Sequence, residues 1–361
     1  GHVWIGCATE QLLEQGFTPV PGYTALFQKG DVMIALYVDD LLVAGPREEC
    51  ERELAVFAAK YETEPAEWES TGSSLDFLGA RFDFTYGTLE TKCKISMKDY
   101  VEETYRVWKE SSPASPSRLN VEFPIGEMTD AKDAEKSDPI KRIQKLIGMI
   151  LWVARNARPD VSYAISRLGT RVNSWDKDAE RELARLVLYL HSTKCMGLKL
   201  EAVYDEHGVC HAKPVLYTDA SLTSPVSQSG YVLIWECSKG SSMTTAWKSN
   251  RQAISADSSG ASETIAAHLG VRDCLTKTED RLQLLVDNSA VVRNARRGGA
   301  GSKLTWLSKA LRLRIELLRD LSELDILRVD YISTTQMKAD GLTKSFGPIK
   351  IAHARNLLNV C

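Results

Sequence analysis

The sequence has no CxxC pair, no long apolar run, no glycine-rich nucleotide-binding word and little excess charge, and each absence removes a class of function. Eight cysteines, at 7, 50, 93, 195, 210, 237, 274 and 361, are scattered along the chain. That scatter argues against a structural zinc site and against a dense disulfide framework, and predicts reduced, mostly buried thiols. The longest uncharged apolar stretch, Leu146 to Ala154, falls far short of the roughly 18 residues that span a bilayer, and the N-terminus has no signal-peptide pattern. A soluble intracellular protein is expected. No G-x-G-x-x-G or P-loop word occurs, and no motif suggests a Ser-His-Asp or Cys-His arrangement, so nucleotide-cofactor and acyl-transfer chemistries have no support. A net charge of −3 gives no overall electrostatic footprint for nucleic acid, so such a partner would have to be held by local basic patches. The chain opens at Gly1-His2-Val3-Trp4 without an initiator Met, which suggests a fragment or a cleavage product.

A length of 361 residues exceeds what one core usually serves, so more than one domain is expected. Residues 24–28 and 32–38 read as two strands around a Lys29-Gly30-Asp31 turn, and Asp39 and Asp40 follow at the tip of a second hairpin. A helix after Pro46, a hairpin through 75–91 and a helix over 98–109 come next. The Pro/Ser-rich stretch from Ser111 to Ser117, extended by polar residues to Pro139, has the composition of an exposed connection and a domain boundary. Two amphipathic helices follow, one through Ile143, Leu146, Ile150 and Ala154, the other through Leu183, Leu186, Val187 and Leu190. From Val215 three strands (215–218, 231–235, 244–248) precede a helix from near Ser259, a buried strand 282–286, a helix over 304–320 and a strand over 324–331. Strands and helices alternating after an opening meander imply a mixed sheet with helices on its faces. The overall class is α/β, or α+β for the whole chain.

Four acids in this last region follow or join regular elements: Asp219, Glu263, Asp287 and Asp340. Asp219 and Asp287 both end apolar strands. If those strands are neighbours, the carboxylates emerge side by side, and Glu263 near a helix start can reach them. Clustered carboxylates raise one another's pKa unless a cation stands between them, so convergence would imply bound metal, and hard oxygen ligands suit Mg²⁺ or Mn²⁺. A pair of such ions serves phosphodiester hydrolysis. Each acid taken alone is more commonly a turn former or helix cap.

The words around them, Tyr217-Thr218-Asp219-Ala220-Ser221, Ser229-Gly230-Tyr231, Trp247-Lys248-Ser249, Arg251-Gln252, Ser258-Ser259, Glu263, Asp287-Asn288 and Ala339-Asp340-Gly341-Leu342-Thr343-Lys344, resemble in order and spacing the ribonuclease H domain of copia-type LTR-retrotransposon Pol proteins. Upstream, Tyr37-Val38-Asp39-Asp40 is similar to the active-site hairpin of reverse transcriptases. Phe77-Leu78-Gly79 matches the region after the palm, and Leu146-Ile147-Gly148 with Ala157-Arg158-Pro159-Asp160-Val161 the connection before the nuclease. The resemblance implies the C-terminal part of a reverse transcriptase (palm/thumb) over 1–112, a linker and helical connection over 113–205, and a ribonuclease H-like mixed five-stranded sheet with flanking helices over 206–361.

It further implies that Asp219, Glu263, Asp287 and Asp340 are catalytic and hold a two-ion Mg²⁺ or Mn²⁺ site, and that the substrate is the RNA strand of an RNA–DNA hybrid. Asp39 and Asp40 are then a polymerase remnant: only 38 residues precede Asp39, the further palm Asp is missing, and unaided polymerisation is not expected. Nucleic-acid contacts fall to Lys248, Arg251, Asn288, Arg293, Arg296, Arg297 and Lys303, in part a basic patch that continues through Lys309, Arg312 and Arg314. The helical members of that patch also fit a plain solvated face. Trp247, Trp306 and Tyr217 suit the core better than base stacking, and His268 a surface or capping role. Where the family commonly carries a Lys-His-Ile word and a further His, residues 302–314 carry neither histidine. Other parts of the Pol polyprotein are the implied partners, with no membrane, and cytoplasmic virus-like particles or the nucleus the implied location. Two alternatives stand beside nuclease action: an inactive relic that only binds nucleic acid, and a fragment of a longer active reverse transcriptase polyprotein.

Overall fold

A computed structural model describes residues 2–69, 74–111, 121–126, 128, 140–222, 227–297 and 308–361, with side chains from residue 4 onward. The chain divides into two compact units, Gly1–Glu69 and Ser70–Cys361.

In the first unit, α1 (His2–Glu14) precedes a four-stranded antiparallel meander of β1 (Thr18–Pro19), β2 (Leu26–Lys29), β3 (Val32–Tyr37) and β4 (Asp40–Ala44), and α2 (Arg47–Ala58) closes it. Alternation in β3 sends Val32, Ile34 and Leu36 into a core with Ala8, Leu12, Phe17 and Phe57. Val38 and Asp39 turn the β3–β4 hairpin. Val38 takes a φ of 48°, a costly setting for a β-branched residue, and its carbonyl accepts a 2.5 Å hydrogen bond from Trp4 Nε1.

The second unit holds two sheets. In one, β5 (Ser74–Phe77), β6 (Ala80–Tyr86) and β7 (Glu90–Ser96) form a meander whose outer strand pairs with β8 (Gly197–Val203), a hundred residues on, in the register Ile95↔Leu198. Between β7 and β8 the chain forms α3 (Lys98–Ser111), α4 (Ile140–Asn156), α5 (Ser162–Gly169) and α6 (Lys177–Ser192). Their apolar faces, among them Trp108, Leu146, Ile150, Leu168, Leu183 and Leu186, share one core. Arg158 and Asp160, both fully buried, lock that core: Arg158 Nε and Nη2 each donate to Asp160 at 2.8 Å, Tyr189 donates its hydroxyl to Asp160 at 2.7 Å, and Arg158 reaches Thr193 at 2.9 and 3.0 Å. A bidentate pair with every acceptor filled is the geometry in which a buried ion pair is tolerated.

The other sheet runs β11–β10–β9–β12–β13, with β9 (Ala212–Ser221), β10 (Gln228–Cys237) and β11 (Ser242–Arg251) antiparallel and β12 (Leu282–Val286) and β13 (Leu327–Tyr331) parallel to β9. Helices α7 (Ser259–Cys274), α8 (Ser289–Arg297), α9 (Lys309–Glu323) and α10 (Pro348–Leu357) complete it. This is the mixed five-stranded, ribonuclease H-like sheet that the sequence leads one to expect.

The expected boundaries at 112/113 and 205/206 do not coincide with the division into units. β7 and β8 pair across both of them, and Trp247 of β11 donates to the Ala154 carbonyl of α4 at 2.8 Å. Nor is the expected exposed connection exposed throughout. Most of it lies outside the described residues, but Pro124 and Ile125 are buried, Gly126 N donates to Glu182 at 2.6 Å, and Arg185 lies over the Phe123 ring. The thiols are free, three of them exposed (Cys7, Cys195, Cys361).

Candidate nuclease centre

Register brings two of the acids together. β9 and β12 run parallel with Tyr217 opposite Leu285, so two residues further along each strand Asp219 and Asp287 leave the same sheet edge. The third comes from α7. Ser258 caps this helix by accepting from Ala261 N, and the small residues Ala266, Ala267 and Gly270 let it lie close against the sheet. A methyl group on Gly270 would sit 2.9 Å from Thr218 Cγ2 and 3.2 Å from Tyr231 Cβ, which fixes why this position has no side chain. One turn into α7, Glu263 reaches the strand ends. Oxygen atoms of Asp219, Glu263 and Asp287 all lie within 4.8 Å of one another, the one such acid group among the described residues.

Asp340 stands apart from that trio. It opens a single 3-10 turn, and Lys344 Nζ holds its Oδ1 at 2.6 Å while standing 3.5 Å from Asp219 Oδ2. Thr343 of the same turn donates its hydroxyl to Asp219, and Thr334 donates to Asp287 Oδ2 at 2.9 Å. Gly230, opposite Asp219 on β10, makes room for the turn: a methyl there would lie 2.7 Å from Leu342 Cβ. Ser249 Oγ donates to the Leu342 carbonyl at 2.5 Å, and Gln228 Nε2 donates to both Ser249 and Ser166 at 2.9 Å, tying the turn to α5.

The electrostatics are those of crowded carboxylates. Burial, chiefly, with Asp340 and Asp287 adding to it, pushes Asp219 up to about 6 against the pull of Lys344 and Thr343. Burial and the charges of Asp219 and Asp287 push Glu263 up to about 9, despite a hydrogen bond from Ala220 N. Burial alone would lower Lys344, yet the surrounding acids raise it. Glu263 Oε2 is buried and has no hydrogen-bond partner. An orphaned carboxylate oxygen in an all-oxygen donor set fits a hard divalent cation.

The other expected site residues are dispersed. Asp39 and Asp40 do stand at the tip of the β3–β4 hairpin, exposed, with no third acid grouped with them among the described residues. Lys248 pairs with Asp273 at 2.9 Å, Asn288 caps α8 through Ala290 N at 3.0 Å, and Arg296 is tied to β13 through Asp330 Oδ1 at 3.1 Å and the Val329 carbonyl at 3.0 Å. Arg251, Arg293 and Arg297 are exposed. Lys303 and Trp306 lie outside the described residues. Tyr217 is buried, with its hydroxyl on Glu236 at 2.6 Å, and Trp247 is half-buried against the same core. His268 is half-buried, and burial with Arg314 and Arg272 depresses its pKa. Sequence reasoning gave Lys344, Thr343 and Thr334 no role. Lys344 and Thr343 were nonetheless visible inside the Ala339–Lys344 word, four and three residues after Asp340.

Sheet order and the placement of the acids define a ribonuclease H-like fold. No family model matches the sequence. The chain is 29% identical over 237 residues to the putative transposon Ty5-1 protein of Saccharomyces cerevisiae, a match covering 59% of this chain and 70% of that protein. Solved structures similar in part include the N-terminal RNase H domain of Rv2228c from Mycobacterium tuberculosis (14% identity, 40% of this chain and 97% of that one, TM-score 0.28). Others are LC11-RNase H1 in complex with an RNA/DNA hybrid (15%, 36% and 94%, TM-score 0.27) and the prototype foamy virus protease-reverse transcriptase (16%, 43% and 22%, TM-score 0.28). At those scores the fold rests on the strand order and not on the overlays.

Proposed function

We propose that the second unit is a divalent-metal-dependent endonuclease of the copia-type retrotransposon lineage that cuts the RNA strand of RNA–DNA hybrids. The observation that carries this reading is the convergence of Asp219, Glu263 and Asp287 within 4.8 Å at one sheet edge. These three would hold Mg²⁺ or Mn²⁺, with Asp340 completing the site once Lys344 releases it. When bound, such ions supply Lewis-acid stabilisation of the developing phosphoryl charge and a lowered pKa for an attacking water. The protein's own part is positional: Thr343 orients Asp219, Thr334 orients Asp287, and the Gln228–Ser249–Leu342 chain holds the turn that carries Asp340 and Lys344. Arg251, Arg293 and Arg297 offer exposed charge to phosphates, and recognition would follow the shape and 2′-OH groups of the hybrid more than its sequence. Asp39 and Asp40, at the tip of the first unit's hairpin, would be a polymerase remnant, part of a two-ion nucleotide site. Other segments of a Pol polyprotein would be its partners, in cytoplasmic virus-like particles or the nucleus.

The test is cleavage of a labelled RNA–DNA hybrid by the full chain in Mg²⁺ or Mn²⁺, beside Asp219→Asn. Metal-dependent cutting that the variant loses supports the reading, whereas cutting that survives in the variant removes it. A second reading, a chain that binds hybrids without cutting them, draws on Lys344, whose ammonium already neutralises Asp219 and Asp340. It predicts salt-sensitive binding and no hydrolysis at any metal concentration.

A further inference from the structure

Beside the acid centre lies a cavity of about 240 Å³ lined by Ile125, Gly126, Met128, Tyr163, Arg167 and Ser345. Its walls come from α5, from the segment after α3 and from the residue that follows Lys344. Ser345 Oγ donates to the Ile125 carbonyl at 3.4 Å, so the cavity and the Asp340–Lys344 turn share a wall. Among the described residues no carboxylate lines it. Behind that wall, Glu182 is already occupied by Gly126 N at 2.6 Å, Arg185 at 3.0 Å and Arg181 at 3.1 Å.

Arg167 is half-buried and, among the described residues, has neither a salt bridge nor a side-chain hydrogen bond. That is unusual company for a guanidinium. The other half-buried or buried arginines nearby are matched, Arg142 with Glu180 at 2.8 Å, Arg158 with Asp160 at 2.8 Å and Arg185 with Glu182 at 3.0 Å, whereas the cations left without an ion pair, such as Lys141, Lys145 and Arg155, are exposed. A partly desolvated guanidinium without a counter-ion is an anion site awaiting its anion, and its planar fork suits phosphate. One turn before it, Tyr163 presents a second donor to the same space, and its hydroxyl feels the Arg167 charge.

We propose that this cavity is a phosphodiester subsite, where Arg167, with Tyr163 beside it, grips the backbone of a nucleic-acid strand whose neighbouring phosphate lies at the acid centre. The inference rests on the nuclease reading above and extends it: the substrate would be held from the α4–α6 helical layer as well as from the nuclease sheet. Each phosphate neutralised by a side chain releases counterions, so the contact has a signature that packing lacks, a change in the salt dependence of binding.

The experiment uses the full chain carrying Asp219→Asn, so that a bound hybrid is not consumed. Its affinity for a labelled RNA–DNA hybrid is measured between 50 and 200 mM salt, with and without Arg167→Ala, and Arg167→Lys serves as the variant that keeps the charge. Thermal midpoints establish that α5 is intact in each. Arg167→Ala is expected to weaken binding about five- to tenfold at the lower salt and to reduce the slope of log K against log salt by about one, with Arg167→Lys restoring most of the slope. If the parent binds the hybrid and Arg167→Ala binds it equally well with the same slope, the subsite is wrong and the nuclease reading stands. If the parent binds no hybrid, the nuclease reading falls and the subsite falls with it.

Discussion

Replacing Glu263 with Gln tests the metal centre without asking for turnover. Three carboxylates within 4.8 Å repel by roughly 3.5 kcal/mol per ionised pair at an effective dielectric of about 20, so the metal-free fold cannot keep all of them charged. Burial settles which one yields: Glu263 holds its proton to about 9, where the unfolded chain releases it near 4.5. Between those values the native state carries the extra proton. Stability of the metal-free protein therefore falls as pH rises through that window, by up to about 1.4 kcal/mol per pH unit, and this term vanishes below pH 4.5. Glu263→Gln keeps the shape and removes the proton, so the slope should shrink to what Asp219 contributes between its ordinary value and about 6. By pH 8 in chelator the variant should be the more stable by at least about 2 kcal/mol, roughly 5 °C in midpoint. Mn²⁺ at a hundredfold excess over its Kd should lift the wild type by about 2.7 kcal/mol and leave the variant nearly unmoved. Thermal unfolding from pH 5 to 9, in chelator and in Mn²⁺, reads both effects. A flat pH profile in the wild type, together with equal Mn²⁺ stabilisation of both proteins, would refute the reasoning.

Lys344→Met should lower the metal-free midpoint, because Asp219 and Asp340 lose their internal counter-ion, and should shift the Mn²⁺ response to lower concentration; titration calorimetry with Mn²⁺ checks this. Gly230→Ala, whose methyl would press on Leu342 and Thr343, should displace the turn and cut hybrid cleavage at least tenfold with a stability cost of about 1–3 kcal/mol. Arg158→Met should cost about 3–5 kcal/mol by leaving Asp160 buried and unpaired, as urea denaturation would show, and the double change with Asp160→Asn should recover part of that loss. Cys210 and Cys237, with Sγ atoms 3.4 Å apart, should join as a disulfide under a disulfide-class oxidant, seen as one linked peptide pair that Cys210→Ser abolishes.

What the sequence disclosed and what it hid divide along sequence separation. Asp219 near the end of β9, Asp287 just past β12 and the helix carrying Glu263 are legible because each is a local pattern: an apolar run leading to Asp, or Ser258-Ser259 ahead of a helical Glu. The β3–β4 hairpin with its two acids is legible for the same reason. The pairing of β7 with β8 leaves no local trace, since β8 is a short polar-apolar alternation whose partner lies a hundred residues away. A boundary drawn from the Pro/Ser composition near residue 113 therefore cuts through one sheet and one core. Lys344 escaped for a different reason. A basic residue four places after an acid reads as an ordinary surface pair, and only the fold sets that pair against the buried end of β9, where the same ammonium stands 3.5 Å from Asp219. One consequence is that a piece beginning near residue 205, which sequence patterning would choose as the nuclease, omits β8 and helices α4 to α6. It thereby loses the Ala154 carbonyl that holds Trp247 and the Ser166 hydroxyl that anchors Gln228 behind the Asp340–Lys344 turn. A piece spanning 74–361 should melt cooperatively and bind Mn²⁺, while 205–361 should expose Leu198's partner Val360 and the open face of β11 and aggregate. Comparable Mn²⁺ affinity and a cooperative transition in the shorter piece would mean that the helical layer contributes nothing to the centre.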